Sequence, residues 1–256
     1  MAGQQTSAGV RKFGLIGYPL GHSFSKKYFT EKFAREGRSD CQFDLYEFPQ
    51  VTDFTALLGQ EKALEGLSVT IPYKEQIIPY LDELDPACQR IGAVNCIRIR
   101  EGKKVGFNTD YLGFKQSLQS WLGDIIPAAL VLGTGGASKA VQQALRDLGV
   151  SYQIVSRSKQ EGQLTYQDLA ENMAWMQNYP LVINTTPLGT FPKVEGIPEL
   201  PLEQLDGRHL VYDLVYNPPI TRLMQECMDR GGKAKNGQDM LELQAEAAWS
   251  IWNNPL

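Results

Sequence analysis

Between Val131 and Ala140 the chain reads VLGTGGASKA: an apolar run, three glycines within four positions, then small residues that open a helical pattern. A strand that turns at Gly133, passes Gly135 and enters a helix can bring its backbone close to a pyrophosphate. The helix N-terminus then offers unpaired N–H groups and a partial positive charge to the anion. Ser138 holds the place of the third small residue, which lets helix and strand pack closely. The helix itself is plain in the pattern. Ala137, Ala140, Val141, Ala144, Leu145 and Leu148 recur at i, i+3, i+4, i+7, i+8 and i+11, and Gly149 stands at the stop. SYQIVSRS supplies the next strand, completing a β-turn-α-β unit of the expected ~30 residues. The segment predicts a Rossmann-type dinucleotide-binding domain.

The end of that second strand selects the dinucleotide. A carboxylate there would accept hydrogen bonds from a ribose 2′-hydroxyl and would repel a 2′-phosphate. The chain instead has Ser156, Arg157 and Ser158, followed by Lys159. A cationic fork between two hydroxyls predicts NADP(H), with Arg157 on the 2′-phosphate.

Around this unit the pattern alternates between strand and helix. FGLIGYPL reads as a strand from Phe13, SKKYFTEKFAREG as a helix, CQFDLYEF as a strand, VTDFTALLGQ as a short helix capped by Thr52 or Asp53, LEGLSVTIP as a strand and KEQIIPYLDEL as a helix. AVNCIRIREGKKVGFNT reads as two strands joined by a turn. DYLGFKQSLQSWL is a helix with an inner stripe of Tyr111, Phe114, Leu118, Trp121 and Leu122. Residues 1–11 carry no periodic apolar pattern and read as an unstructured leader. After the glycine-rich unit come the strands PLVINTTP and HLVYDLVY, and a last helix from Met240 to Trp252. Its apolar stripe is Met240, Leu241, Ala247, Ala248 and Ile251, and Gln244 lies inside that stripe. A polar amide on such a face needs partners, which a buried core or a bound polyol acid would supply. The fold class is α/β with two domains: residues 12–122 plus 238–256 as a substrate-binding catalytic domain, and 123–237 as an NADP-binding domain, with a cleft between them.

Composition narrows the function further. With 25 Lys and Arg against 29 Asp and Glu the net charge is −4, so no general basic surface awaits nucleic acid. No apolar run reaches the ~18 residues needed to span a bilayer, and no secretory signal pattern opens the chain; a cytoplasmic protein with a small-molecule substrate is expected. Four scattered cysteines and two histidines give no metal-ligand spacing, so no metal is expected. The remaining polar candidates, Ser23, Ser25, Lys74, Asn95 and Asp110, are each explained by a turn, a cap, simple exposure or, for Asn95 between strand-like residues, a bulge when taken one at a time.

In combination they carry a resemblance. GLIGYPLGHSFS, GLSVTIPYK, IGAVNCI, GFNTDYLGF, VLGTGGASKA, INTTPLGT, YDLVYNPPITRLM and NGQDMLELQAEAAW follow one another in the order of the shikimate dehydrogenase family, from Phe13 to Trp252. The resemblance implies that Ser23 and Ser25 bind the substrate carboxylate, that Thr70, Asn95, Asp110, Tyr216 and Gln244 hold the ring hydroxyls, and that Lys74 is the acid/base. It implies cofactor contacts from Gly133, Thr134, Gly135, Gly136, Ala137, Ser156, Arg157, Ser158, Leu214 and Gly237. The implied reaction is NADPH-dependent reversible reduction of 3-dehydroshikimate to shikimate, in chorismate and aromatic amino-acid biosynthesis, by a monomer or homodimer. Lys74 would protonate the developing alkoxide, and Asp110 would orient substrate and lysine. Three positions depart from the family's pattern: Lys26 stands for Pro, Ser68 for Asn and Cys96 for Thr. Two other readings stay open at this point, an NAD-dependent quinate/shikimate dehydrogenase and a non-catalytic NADP-binding regulator.

Overall fold

The computed structural model describes residues 9–21, 24–124 and 126–254. It divides into two compact units, residues 1–109 with 248–256, and residues 110–247.

In the first unit six strands form one sheet: β1 (Arg11–Gly17), β2 (Cys41–Glu47), β3 (Leu64–Val69), β4 (Glu83–Leu84), β5 (Cys96–Arg100) and β6 (Lys103–Phe107). Their order is β2-β1-β3-β5-β6-β4. The β1, β2 and β3 strands run parallel, and β5 pairs antiparallel with both β3 and β6. The β5–β6 hairpin turns on Glu101 and Gly102, at φ 50° and 79°. Helices α1 (Phe24–Arg35), α2 (Phe54–Gln60), α3 (Tyr73–Gln76) and α4 (Pro86–Ile91) connect the strands.

Strand β1 begins two residues before the expected Phe13. Its polar start is secured by ion pairs from Arg11 to Glu65 and from Lys12 to Glu61, both at 2.6 Å. The expected helix KEQIIPYLDEL is broken up: α3 stops at Gln76, a 3-10 turn spans Ile78–Tyr80, and Glu83–Leu84 joins the sheet. Pro79, with no N–H to donate, cannot continue the helix. The helix at 54–60 starts after a 3-10 turn at Val51–Asp53, and no side chain caps it.

One face of the first sheet is closed by aromatic rings. Phe29 stacks on Phe43 at 4.7 Å between centroids, and Phe13 stacks on Trp252 at 5.1 Å. Trp252 also donates from Nε1 to the Ile97 carbonyl at 3.0 Å. Beneath it lies Gly66, where a Cβ would fall 2.4 Å from the indole ring, so only glycine fits.

The second unit has a six-stranded, wholly parallel sheet: β7 (Ala129–Leu132), β8 (Tyr152–Ser156), β9 (Leu164–Thr165), β10 (Leu181–Asn184), β11 (Leu210–Asp213) and β12 (Lys233–Asn236). Read from β9, the order is third, second, first, fourth, fifth, sixth strand of the unit. That is the doubly wound dinucleotide-binding order, with its switch point between β7 and β10. The helices are α5 (Thr109–Leu122), whose first residue still belongs to the first unit, then α6 (Gly136–Asp147), α7 (Tyr166–Glu171), α8 (Ala174–Asn178), α9 (Arg222–Asp229) and α10 (Gln238–Asn253), whose residues from Ala248 onward belong to the first unit. The central strands β7 and β10 are apolar runs buried on both faces. Residues Ala140, Val141, Ala144 and Leu145 of α6 are fully buried, as their spacing predicts.

The compact units divide at Thr109/Asp110 and Ala247/Ala248, whereas the sequence boundaries fall at 122/123 and 237/238. Packing accounts for the placement of α5. Phe114 and Trp121 flank Tyr212 of β11, and the Tyr212 hydroxyl donates to Ser117 Oγ at 2.8 Å. The buried face of α10 comprises Met240, Ala245, Ala248, Trp249 and Trp252, rather than the stripe through Ala247 and Ile251, which are only half-buried.

Candidate active site

In the first unit, the chain ends of three strands are tied together by their backbone. The Thr70 amide donates to Ile16 at 2.9 Å, Val69 to Asn95 at 2.8 Å, and Val94 to the carbonyl of Lys74 at 2.7 Å. Thr70, Lys74 and Asn95 are thereby gathered at one end of the central strands. Lys74 sits in a single helical turn that is anchored by its neighbour: Tyr73 is fully buried and its hydroxyl donates to the Phe48 carbonyl. Ser25 lies half-buried in the first turn of α1; Ser23 lies outside the described residues.

Asn95 is buried, and its amide is engaged at both ends with Thr109. Its Oδ1 accepts from the Thr109 amide at 2.5 Å, and its Nδ2 donates to Thr109 Oγ1 at 3.0 Å. This clamp caps the start of α5, where an amide would otherwise lack an acceptor. Asp110 is the next residue, half-buried in the first helical turn, where a carboxylate is favoured by the helix dipole. Asn108, also buried, donates to the Ala93 carbonyl at 2.9 Å. The clamping role of Asn95 and Asn108 was not legible from spacing, because each partner lies fourteen or fifteen residues away.

The three departures from the family pattern fall into place here. Ser68 and Cys96 are cross-strand partners in the β3–β5 register, so the two substitutions share one buried spot. Burial pushes the Cys96 thiol far above its ordinary range, which removes it from thiolate chemistry. Lys26 reaches from α1 to β2, pairing with Asp44 at 2.9 Å and donating to the Phe43 carbonyl.

In the second unit the glycine turn has the conformation its sequence requires. Gly133 lies at φ +106°, and a Cβ there would stand 2.9 Å from Thr185 Oγ1 across the switch point. Ser138 Oγ donates back to the Gly133 carbonyl at 2.7 Å, closing the turn. Gly135 is the N-cap of α6, with no capping side chain and nothing within 4 Å of where a Cβ would be. Thr134 is exposed, and Gly136 and Ala137 are half-buried in the first turn. At the end of β8, Ser156 is buried and its hydroxyl donates to the Ser158 carbonyl, so it is a turn-former rather than an outward donor. Arg157 is exposed and makes no ion pair among the described residues, while Lys159 pairs with Asp168 at 2.7 Å. That pairing, together with two hydrogen bonds from Thr165, holds the Asp168 carboxyl down to about 2. An uncapped helix start beside open space, and an unpaired guanidinium with no acid at the strand end, together fit a dinucleotide bearing a 2′-phosphate.

Leu214 and Gly237 meet directly: a Cβ on Gly237 would lie 2.1 Å from the Leu214 carbonyl oxygen. Tyr216 is exposed on the loop after β11. Gln244 is half-buried on α10, its Nε2 donating to the Leu241 carbonyl at 2.9 Å. Gly113 of α5 admits that helix: a Cβ there would stand 2.6 Å from the Met240 carbonyl oxygen and 2.9 Å from the Gln244 amide nitrogen. Of the expected substrate residues, Ser23, Ser25, Thr70, Lys74 and Asn95 fall in the first unit by position, and Asp110, Tyr216 and Gln244 in the second.

Strand order, glycine turn and the charge at the end of β8 define a dinucleotide-binding α/β protein with a second sheet unit. Residues 15–97 match the sequence model of the shikimate dehydrogenase substrate binding domain. The NADP(+)-type shikimate dehydrogenase of Desulforamulus reducens is 35% identical over 263 residues, covering 93% of this chain and 88% of that protein. Among solved structures, a chorismate mutase/shikimate 5-dehydrogenase fusion protein from Clostridium acetobutylicum aligns with a TM-score of 0.85 at 32% identity, covering 96% of this chain and 92% of that one. A Thermus thermophilus shikimate 5-dehydrogenase in complex with NADP(H) and shikimate aligns at 0.82 and 32%, covering 96% and 94%. The chain belongs to the shikimate dehydrogenase family.

Proposed function

We propose that this protein is an NADP-dependent shikimate dehydrogenase, reducing 3-dehydroshikimate to shikimate reversibly in the route to chorismate and the aromatic amino acids. The observation that carries the reading is the presence of two arrays in one chain: Thr70, Lys74 and Asn95 tied together at the ends of central strands in the first unit, and, in the second, an uncapped glycine turn with the unpaired Arg157 at the end of β8. The family membership joins the two arrays to one chemistry.

In this reading Gly133, Thr134, Gly135, Gly136 and Ala137 offer backbone N–H groups to the pyrophosphate, and Arg157 with Ser158 meets the 2′-phosphate. Leu214 and Gly237 would contact the dinucleotide, and Ser156 shapes the turn. Bound NADPH supplies the hydride to the substrate carbonyl carbon. The Lys74 ammonium donates a proton to the carbonyl oxygen as charge develops there, and Nζ takes it back in the reverse direction. Asp110 orients the reacting hydroxyl and Lys74. Ser23 and Ser25 hold the carboxylate; Thr70, Tyr216 and Gln244 hold hydroxyls. Asn95 adds at most its second Nδ2 hydrogen, since its other amide positions serve Thr109. No metal enters this scheme. Among the described residues no helix is long and apolar enough to cross a membrane, and we place the enzyme in the cytoplasm as a monomer or homodimer.

The test is NADPH formation, followed by its near-ultraviolet absorbance, from shikimate with NADP, beside quinate and beside NAD. Turnover with shikimate and NADP is expected. NADP binding without turnover on any pair would overturn the reading in favour of a regulator, and a preference for NAD or quinate would overturn its cofactor or substrate half.

A further inference from the structure

The second unit contains a carboxylate that the proposed chemistry does not use. Asp213 is the last residue of β11 and is fully buried. It stands in register with Asn184, the last residue of β10. Three donors from three segments converge on it. Asn184 Nδ2 reaches Oδ1 at 2.9 Å, the Val215 amide reaches the same oxygen at 3.0 Å, and Thr221 Oγ1 reaches Oδ2 at 2.6 Å. None of these partners carries a charge, so the burial is offset by hydrogen bonds alone, and it pushes the carboxyl up to about 6.

Each partner leads into a loop at the proposed dinucleotide site. The Asn184 Oδ1 accepts from Thr186 N and Oγ1 at 3.0 and 2.7 Å, shaping the turn that follows β10. The residue between them, Thr185, is the one that stands against Gly133. Val215 accepts from the Gly237 amide at 3.2 Å, beside the close meeting of Gly237 with Leu214. Thr221 also caps α9, accepting from the Met224 amide at 3.3 Å, and so ends the loop that carries Tyr216. A second tie joins the two loops, from the Phe191 amide to the Asn217 carbonyl at 3.0 Å.

We propose that Asp213 is a positioning residue for cofactor binding: its carboxylate locks the 184–189 turn and the 214–221 loop together, and so sets where Leu214, Tyr216 and Gly237 stand. The proposal rests on the dinucleotide reading for its consequence, while the lock itself is a property of the protein alone. Three donors demand an acceptor on both carboxylate oxygens. An amide in its place keeps Oδ1 as acceptor but turns Nδ2 toward Thr221, leaving that hydroxyl without an acceptor.

The experiment compares wild type, Asp213→Asn, Thr221→Val and Thr221→Ser. NADPH binding is followed by fluorescence titration, kcat and KM by steady-state assay, and amide hydrogen exchange is measured on the protein without cofactor. Asp213→Asn and Thr221→Val are expected to weaken NADPH binding by about tenfold, the scale of one lost hydrogen bond to a charged acceptor. Their kcat at saturating NADPH should stay within about twofold, because the loss lies in binding. Amides of 184–189 and 214–221 should exchange faster together in both variants, with the β5–β6 turn unchanged, and Thr221→Ser should restore both readouts. If Asp213→Asn fails to fold, the Thr221 pair decides. Exchange that loosens one loop without the other, or NADPH affinity equal to wild type in Asp213→Asn and Thr221→Val, overturns the proposal. Absence of shikimate turnover in the wild type overturns the proposed function instead, and leaves exchange to decide the lock.

Discussion

At the proposed dinucleotide site of the second unit the groups that meet the cofactor are mostly backbone: the turn at Gly133, the uncapped start of α6 at Gly135, and the glycine at 237 that admits the Leu214 carbonyl. In the first unit they are side chains, Thr70, Lys74 and Asn95, held at the ends of a mixed sheet. The difference reflects what each ligand offers. A pyrophosphate is symmetric and anionic, so a row of N–H groups on a helix dipole suffices, whatever the side chains. A small ring bearing a carboxylate and hydroxyls has to be told from its isomers, and that takes individually placed donors and acceptors. A unit of the first kind is defined by where side chains are missing, and one of the second kind by which are present.

Chemistry should therefore be lost by substitution at Lys74 in the first unit, and cofactor binding by substitution at the dinucleotide site of the second. The largest effect is expected for Lys74→Ala, a fall in kcat of roughly 10²–10⁴ with NADPH affinity kept; steady-state rates and a binding titration on one preparation check it, and a near-normal kcat would remove Lys74 from the proton path. Next in size is Trp252→Ala, which should cost ~3–5 kcal/mol as a large core deletion. Denaturant unfolding measures that loss, and faster hydrogen exchange should appear in β3 and β5 before β7 and β10.

Asp213 gives the second unit a pH response that the aromatic core of the first lacks. Its folded carboxyl, near 6, lies above the ordinary 3.8, so between those values the folded state holds more protons than the unfolded chain. The burial cost is felt above pH 6 and is relieved as pH falls toward 3.8. Relative to Asp213→Asn, which carries no charge, the wild type should gain stability over that window, by at most ~3 kcal/mol; parallel unfolding curves across pH would show it, and a constant difference would contradict the assigned titration. The smallest effect is expected for Arg157→Ala, about a tenfold rise in KM for NADPH with little change in kcat or in KM for NADH. Equal changes with both cofactors would mean that Arg157 does not read the 2′-phosphate.

The same contrast governs what could be read from the sequence. The glycine turn, the α6 stripe and the basic end of β8 lie in one contiguous stretch, and local periodicity identifies all of them. In the first unit no stretch carries the site. The residues stand on separate segments, each with an ordinary explanation, and the eight motifs in family order were needed to join them. From sequence Asn95 reads as a bulge residue or a substrate ligand, and its engagement with Thr109 shows only once β5 and the start of α5 are side by side. Pro79 was visible, but the short stretch after it is strand only because β6 is there to pair with Leu84. The polar start of β1 reads as leader in the sequence because its apolar pattern begins at Phe13, and the acids that hold Arg11 and Lys12 come 54 and 49 residues later.

Trp252 has a bearing on the order in which the molecule can be built. The ring that covers Gly66 and bonds to Ile97 is synthesised after every strand of both sheets. Domains emerging from the exit tunnel ordinarily settle in the order of their synthesis. Here the unit that is made first has to wait with one side of its core uncovered until α10 is made, by which time the unit made second already has every strand of its sheet.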